Sequence, residues 1–192
     1  MYIKIEIDNN CMQEMLLLKT TQYFLEHPYH EAYLRELAKI LKISPFAIKK
    51  YASLLLKEGL IMEERKGNLR YFKANISNEF YKQLKISFNI QKILKSKLIA
   101  FIQKSISAVS SVVLFGSLAK GTDDEKSDID ILIIGKEKDI DFKGIEKNLG
   151  RTINEHIMMW GEWKRNYECN QAFYYDIIAY GIPLYGELPI IK

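Results

Sequence analysis

The sequence predicts a two-domain α/β (α+β) protein: an N-terminal helical domain closed by a β-hairpin, a linker helix, and a domain in which helices flank a mixed sheet. Three observations predict it. Between Met12 and Leu55 apolar residues recur at helical spacing, and two short strand-like runs follow. Further on, Val112–Phe115 and Ile129–Ile134 are apolar runs of strand length. Charge is also unevenly shared: up to Lys95 there are 16 Lys and Arg against 10 Asp and Glu, and beyond it 12 against 14. The expected boundaries are 1–77 for the first domain, 78–95 for the linker helix and 96–192 for the second domain. With 48% apolar residues in 192, the chain can bury two small cores.

Taken in order, helical spacing runs from Met12 to about Glu26, and a second helix is expected over Ala32–Leu41, with Leu34, Leu37, Ala38 and Leu41 on one side. Ser44-Pro45 opens a third, because serine is a good N-cap and proline is favoured at the first helical position. It runs through Ile48, Tyr51, Leu54 and Leu55 to a stop at Gly59. Leu60–Glu64 and Leu69–Lys73 read as paired strands around Lys66-Gly67-Asn68. Asn78 to about Ile93 reads as the linker helix and Ile93–Ile106 as the first helix of the second domain. Phe142–Leu149 reads as a helix capped by Gly150, Arg151–Met159 as a strand, Gln171–Tyr180 as a helix ended by Gly181, and Ile182–Tyr185 as a closing strand.

The run FGSLAKGTDDEKSDIDILII joins two strand ends and carries the chemistry. The first strand ends in a Gly-Ser turn. At the start of the second, strand alternation points Asp128 and Asp130 the same way, about 6.5–7 Å apart, close enough to share a hard divalent cation, while Ile129 points into the core. Gly116 lets a phosphate approach the backbone closely, and Ser117 adds a hydroxyl and helix-start amides facing an anion. That set suits a nucleoside triphosphate with magnesium.

With Ala119, the Lys120-Gly121 step, the fixed spacing and Ser127 before the first Asp, the stretch resembles the nucleotidyltransferase motif of the DNA polymerase β superfamily. It is most similar to the minimal nucleotidyltransferases of archaea and bacteria, which include antitoxins that adenylylate a toxin protein. The likeness covers roughly Ser105–Gly186. It implies that Asp128 and Asp130 are catalytic and bind Mg2+ or Mn2+, that Gly116, Ser117, Lys120 and Ser127 contact ATP or another nucleoside triphosphate, and that a protein such as a toxin is the acceptor. The family pattern also has a third carboxylate on a later strand, and that position falls at Asn154. Glu155 is next door but faces the other side by alternation, while His156 shares the Asn154 face. Loss of the third acid weakens the ion that activates the attacking hydroxyl. Nucleotide and magnesium binding is therefore the firmer expectation, and turnover the weaker.

The basic first half resembles a winged helix-turn-helix over about Met12–Asn75, particularly the small prokaryotic regulators in which LRELAKILKIS precedes a helix ending in LLLKEGLI. The resemblance implies DNA contact by the third helix, through Ser44, Phe46, Lys49, Lys50 and Ser53, and by the hairpin, through Arg65, Lys66 and Arg70. It also implies a homodimer matching two half-sites. Lysines on a helix are otherwise a solvated face, and such domains also serve as protein-interaction modules.

No apolar run reaches about 18 residues, and MYIKIEIDNN lacks a signal-peptide core, so a cytoplasmic protein without a membrane span is expected. Cys11 and Cys169 read as free buried thiols. His27 and His30 read as turn residues, Trp160 and Trp163 as core or surface anchors, and Asp123-Asp124-Glu125 as a solvated loop. Two function classes stand: a nucleotidyltransferase acting on a hydroxyl, and a non-catalytic transcriptional regulator or antitoxin with a degenerate transferase domain.

Overall fold

Burial follows the apolar pattern into separate cores. The structure is a computed structural model that describes residues 9–136 and 139–191, with side chains from residue 13 onward. It divides into two units, the first ending at Tyr81 and the second beginning at Lys82, a boundary that lies within the helix predicted as a linker.

The first unit runs α1 (Asn9–Glu26), β1 (Ala32–Tyr33), α2 (Leu34–Leu41), α3 (Pro45–Lys57), β2 (Ile61–Lys66) and β3 (Leu69–Ala74). Ser44 caps α3, its hydroxyl accepting the Ala47 amide at 3.2 Å, so the Ser-Pro reading holds. Ala32 is not helical: it and Tyr33 pair with Phe72 and Tyr71, making a three-stranded antiparallel sheet in the order β1-β3-β2. Spacing alone missed this, because two residues are too short a strand to leave a period. The hairpin pairs Lys66 with Leu69 across Gly67-Asn68, and Gly67 takes the positive φ that so tight a turn demands. Leu37, Ile48, Tyr51, Leu55, Phe24 and Phe72 form the core.

The second unit holds most of α4 (Glu79–Lys95), then α5 (Leu98–Ser105), β4 (Ser111–Phe115), α6 (Gly116–Lys120), β5 (Ile129–Ile134), α7 (Lys143–Leu149), β6 (Ile153–Met158), α8 (Trp160–Cys169), α9 (Gln171–Tyr180) and β7 (Ile182–Gly186). The expected single helix Ile93–Ile106 is broken. α4 stops at Lys95, Lys97 adopts the left-handed conformation, and the Ser96 hydroxyl accepts the Leu98 amide to start α5 afresh. The mixed sheet has the order β6-β5-β4-β7; β4 is antiparallel to β5 and β7, and β5 is parallel to β6.

Alternation along β4 and β5 feeds a core on each face. Val112, Leu114, Ile129, Ile131 and Ile133 pack with residues of α4, α5 and α7. Val113, Phe115, Leu132 and Ile134 pack with Trp163, Tyr174 and Ile177 of α8 and α9. Trp163 is thus core, its indole N–H donating to the Pro189 carbonyl. Cys169 is exposed rather than buried, because α8 ends at that residue, and Cys11 lies outside the described side chains. Among the described residues no helix is long and apolar enough to cross a membrane.

Candidate functional site

Register brings the motif residues together. In the antiparallel β4–β5 pair Phe115 lies opposite Asp130, so the turn that follows Phe115 folds over that aspartate. In the parallel β5–β6 pair Asp130 lies opposite Asn154. The Asn154 side-chain N–H donates to Asp130 Oδ1 at 2.8 Å. The position expected for a third acid is therefore at the site, and it presents a donor to the carboxylate. Glu155 lies opposite the fully buried Ile131, one step along and so on the other face.

Gly116 has a reason beyond the one read from the sequence. Its φ is +70°, and a Cβ there would lie 2.9 Å from Asp130 Cγ and closer still to Oδ2. The group that approaches this backbone is the Asp130 carboxylate, and only glycine leaves it room. Ser117 is the second residue of the single-turn α6. Asp128 stands exposed one residue ahead of β5, and Asp130 is half-buried. Beside Asp128 is a cleft of about 290 Å³ whose other walls include Glu125, Lys126, Glu146, Arg151 and Thr152.

Two expected nucleotide contacts are already engaged. Lys120 donates to Asp176 Oδ1 of α9 at 2.5 Å and lies 4.9 Å from the centre of the Tyr180 ring. The Ser127 hydroxyl donates to Asp124 Oδ1 and accepts the Asp124 amide, both at 2.9 Å, closing the loop on itself. Hydrogen bonds from the Lys126 amide first and then from the Ser127 hydroxyl hold the Asp124 carboxyl below its ordinary range. His156 shares the site's face of β6, its ring 5.5 Å from Phe115 and 5.3 Å from Phe173.

The solvated-loop reading fails at Asp123. It is 1% exposed, where Lys85 Nζ lies 3.2 Å and Arg151 Nη2 2.9 Å from Oδ2, and Asn89 donates to Oδ1 at 2.7 Å. Burial pushes the Lys85 ammonium below its usual range despite the aspartate beside it. None of Lys85, Asn89, Asp123 and Arg151 figures in the sequence reading of the site, yet one signal is present: Tyr81, Lys85, Asn89 and Ile93 recur every four residues, so two polar side chains stand in the buried stripe of α4.

No group of three His, Cys, Asp or Glu that could hold a metal occurs among the described residues. Two carboxylates two residues apart, Asp128 and Asp130, with the Asn154 amide in the third place, suit one hard divalent ion rather than two.

Residues 94–178 match the nucleotidyltransferase domain family. A protein of Methanocaldococcus jannaschii, provisionally named a protein adenylyltransferase, is 32% identical over 104 residues, which are 50% of this chain and 99% of that one. The chain belongs to the nucleotidyltransferase family. Two solved structures share part of its shape. A toxin–antitoxin crystal structure with AMP-PNP is 19% identical over 52% of this chain and 74% of its own, at a TM-score of 0.36. TrmBL2, an archaeal chromatin protein solved to show a mode of DNA binding, is 14% identical over 82% and 64%, at a TM-score of 0.28. At those scores neither carries an argument. The matched residues thus include Gly116, Ser117, Lys120, Ser127, Asp128, Asp130 and Asn154, on α6, β5, β6 and the loop before β5.

The residues expected to face DNA lie in the other unit. Lys49 and Lys50 are exposed on α3, Lys50 donating to Gln13 at 2.7 Å, and Phe46 is 81% exposed. Arg65 is exposed and reaches Glu63 only at 3.9 Å, whereas Lys66 pairs with Glu31 and Arg70 is held by both oxygens of Glu63. Lys73 also reaches Glu31, at 3.0 Å. These pairs, by their hydrogen bonds first, lower the Glu31 and Glu63 carboxyls and raise Lys66, Lys73 and Arg70.

Proposed function

We propose that the second domain binds a nucleoside triphosphate, ATP in the first instance, with Mg2+ or Mn2+, and transfers its nucleoside monophosphate to a protein hydroxyl. The observation that carries this reading is the meeting of Gly116, Asp130 and Asn154 where β4, β5 and β6 run side by side. Asp128 and Asp130 would hold the ion, which when bound neutralises phosphate charge and lowers the pKa of the attacking hydroxyl. The Gly116-Ser117 turn would receive the outer phosphates. In the transfer, the acceptor oxygen bonds to the α-phosphorus, the bond to the bridging oxygen breaks, pyrophosphate leaves, and the acceptor proton passes to solvent. Asn154 orients Asp130 through its amide. Similarity to the archaeal protein named for adenylylating proteins supports ATP and a protein acceptor.

We read residues 1–77 as a winged helix-turn-helix that binds DNA as a homodimer, through Ser44, Lys49 and Lys50 of α3 and Arg65, Lys66 and Arg70 of the wing. The Ser44 hydroxyl is committed to its cap, so its contact would be steric or through the backbone. The site also favours a second reading, a nucleotide-binding regulator or antitoxin without turnover, because Asn154 offers a donor where a second ion would need an acceptor.

Calorimetric titration of ATP at several Mg2+ concentrations tests the core of the proposal. Asp128→Asn should weaken the Mg2+-dependent part of the affinity at least tenfold without unfolding the domain. Equal affinity in the two proteins would refute the metal assignment. Pyrophosphate release, with and without the products of neighbouring genes as acceptors, separates the transferase from the regulator.

A further inference from the structure

We propose that Asp123 is the positioning residue of the nucleotide site, setting the Gly116–Lys120 turn and the Asp128 loop relative to each other from a buried anchor on α4. The inference rests on the reading of Asp128 and Asp130 as nucleotide-site residues. Two arms leave the one carboxylate. On one, Asn89 donates to Asp123 Oδ1 at 2.7 Å and to the Leu118 carbonyl of α6 at 3.3 Å. On the other, Arg151 donates to Asp123 Oδ2 and to the Ser127 carbonyl, each at 2.9 Å, and Ser127 immediately precedes Asp128. Arg151 stands three residues before Asn154, so the same guanidinium also ties down the entry to β6. Lys85 roots the carboxylate on α4. The loop backbone lies close against this helix: Gly121 has φ +66°, and a Cβ there would come within 2.6 Å of the Lys82 carbonyl.

Stability alone does not account for such a cluster. Apolar residues of the same volume commonly serve as well as or better than a buried ion network. What apolar packing does not provide is a directional hold on two particular carbonyls, that of Leu118 in the α6 turn and that of Ser127 in the loop before Asp128, the two segments that would meet a triphosphate together. A site whose groups are placed to within about half an ångström needs such support.

The test uses the full chain and reads amide exchange residue by residue. Asn89→Leu cuts the first arm and should speed exchange of the Thr122 amide, bonded to the Ser117 carbonyl, at least tenfold, leaving Asp124 and Ile129 near wild type. Arg151→Lys keeps the charge but lacks the fork, and should do the reverse. Asp123→Asn should loosen both; if it fails to fold, the two arm variants decide. In each soluble variant the Mg2+-dependent ATP affinity should fall about tenfold while affinity in EDTA holds. Exchange that rises uniformly across the domain, or in neither loop, would overturn the proposal. Wild-type protein without any Mg2+-dependent ATP affinity would overturn the nucleotide reading instead, and the exchange pattern would still decide whether Asp123 couples the two loops.

Discussion

Gly116→Ala is the substitution whose cost the structure predicts most directly, and Gly150→Ala supplies its control. Both glycines have φ near +70°, at +70° and +68°, so alanine pays the left-handed strain of about 1–2 kcal/mol at either position. They differ in what the new methyl meets. At Gly150 nothing lies within 4 Å, whereas at Gly116 the methyl falls 2.9 Å from Asp130 Cγ and 3.2 Å from its Cβ. The carboxylate must turn away, leaving its rotamer at a cost of about 0.5–1.5 kcal/mol, and its bond from Asn154 stretches with it. Gly116→Ala should therefore be less stable than Gly150→Ala by about 1 kcal/mol, read as a melting temperature about 4–8 °C lower for a domain near 100 residues. Adding Asp130→Ala should recover most of that difference, since it removes the Cγ and both oxygens, and the double-mutant cycle isolates the term. Mg2+-dependent ATP affinity should also be lost in Gly116→Ala. Equal stability of the two single variants, or no coupling to position 130, would refute the account of why this turn begins with glycine.

Further expectations concern the third position, the wing and pH. Asn154→Asp should place a carboxylate against Asp130 in place of an amide donor, lowering the melting temperature in EDTA and raising it with Mg2+ by more than in wild type; a variant that ignores Mg2+ would show that position 154 does not face the ion. Its turnover, measured as pyrophosphate release, should exceed that of wild type. DNA binding by the first domain should fall with salt at a log-log slope near −0.9 per phosphate contact. Replacing Lys49 and Lys50 with Glu should abolish it in gel shifts on the upstream region, and Glu31→Gln should strengthen it by releasing Lys66 and Lys73. Wild type binding no more tightly than the double Glu variant at low salt would end the DNA reading. Glu31 and Glu63 are held below 4.5 by cation partners, so the native chain binds fewer protons than the unfolded one there; stability is fully present above about pH 4.5 and declines as pH falls. Denaturation midpoints at about pH 6 and pH 3.5 should differ less in Glu31→Gln than in wild type, and an unchanged difference would discount that pair.

What the sequence revealed of this molecule divides along one physical line. Features set by neighbours in the chain are legible: the Ser44-Pro45 helix start, the Gly67 turn, β5 over Ile129–Ile134 and α9 over Gln171–Tyr180, because cap chemistry, turn chemistry and strand periodicity are local. Features set by partners far along the chain are not. Asp123 opens an acidic run that reads as a solvated loop, yet Lys85 and Asn89, 38 and 34 residues earlier, remove it from water. Gly116 also makes room for Asp130, brought there by the β4–β5 register, which the local turn does not reveal. In both instances the residue's role is set by a meeting of side chains that the sequence spacing does not name. Position 154 follows the same line: strand alternation puts Asn154 on the face of His156, but that its amide donates to Asp130 Oδ1 is set by the β5–β6 register, which pairs residues 24 apart in the chain.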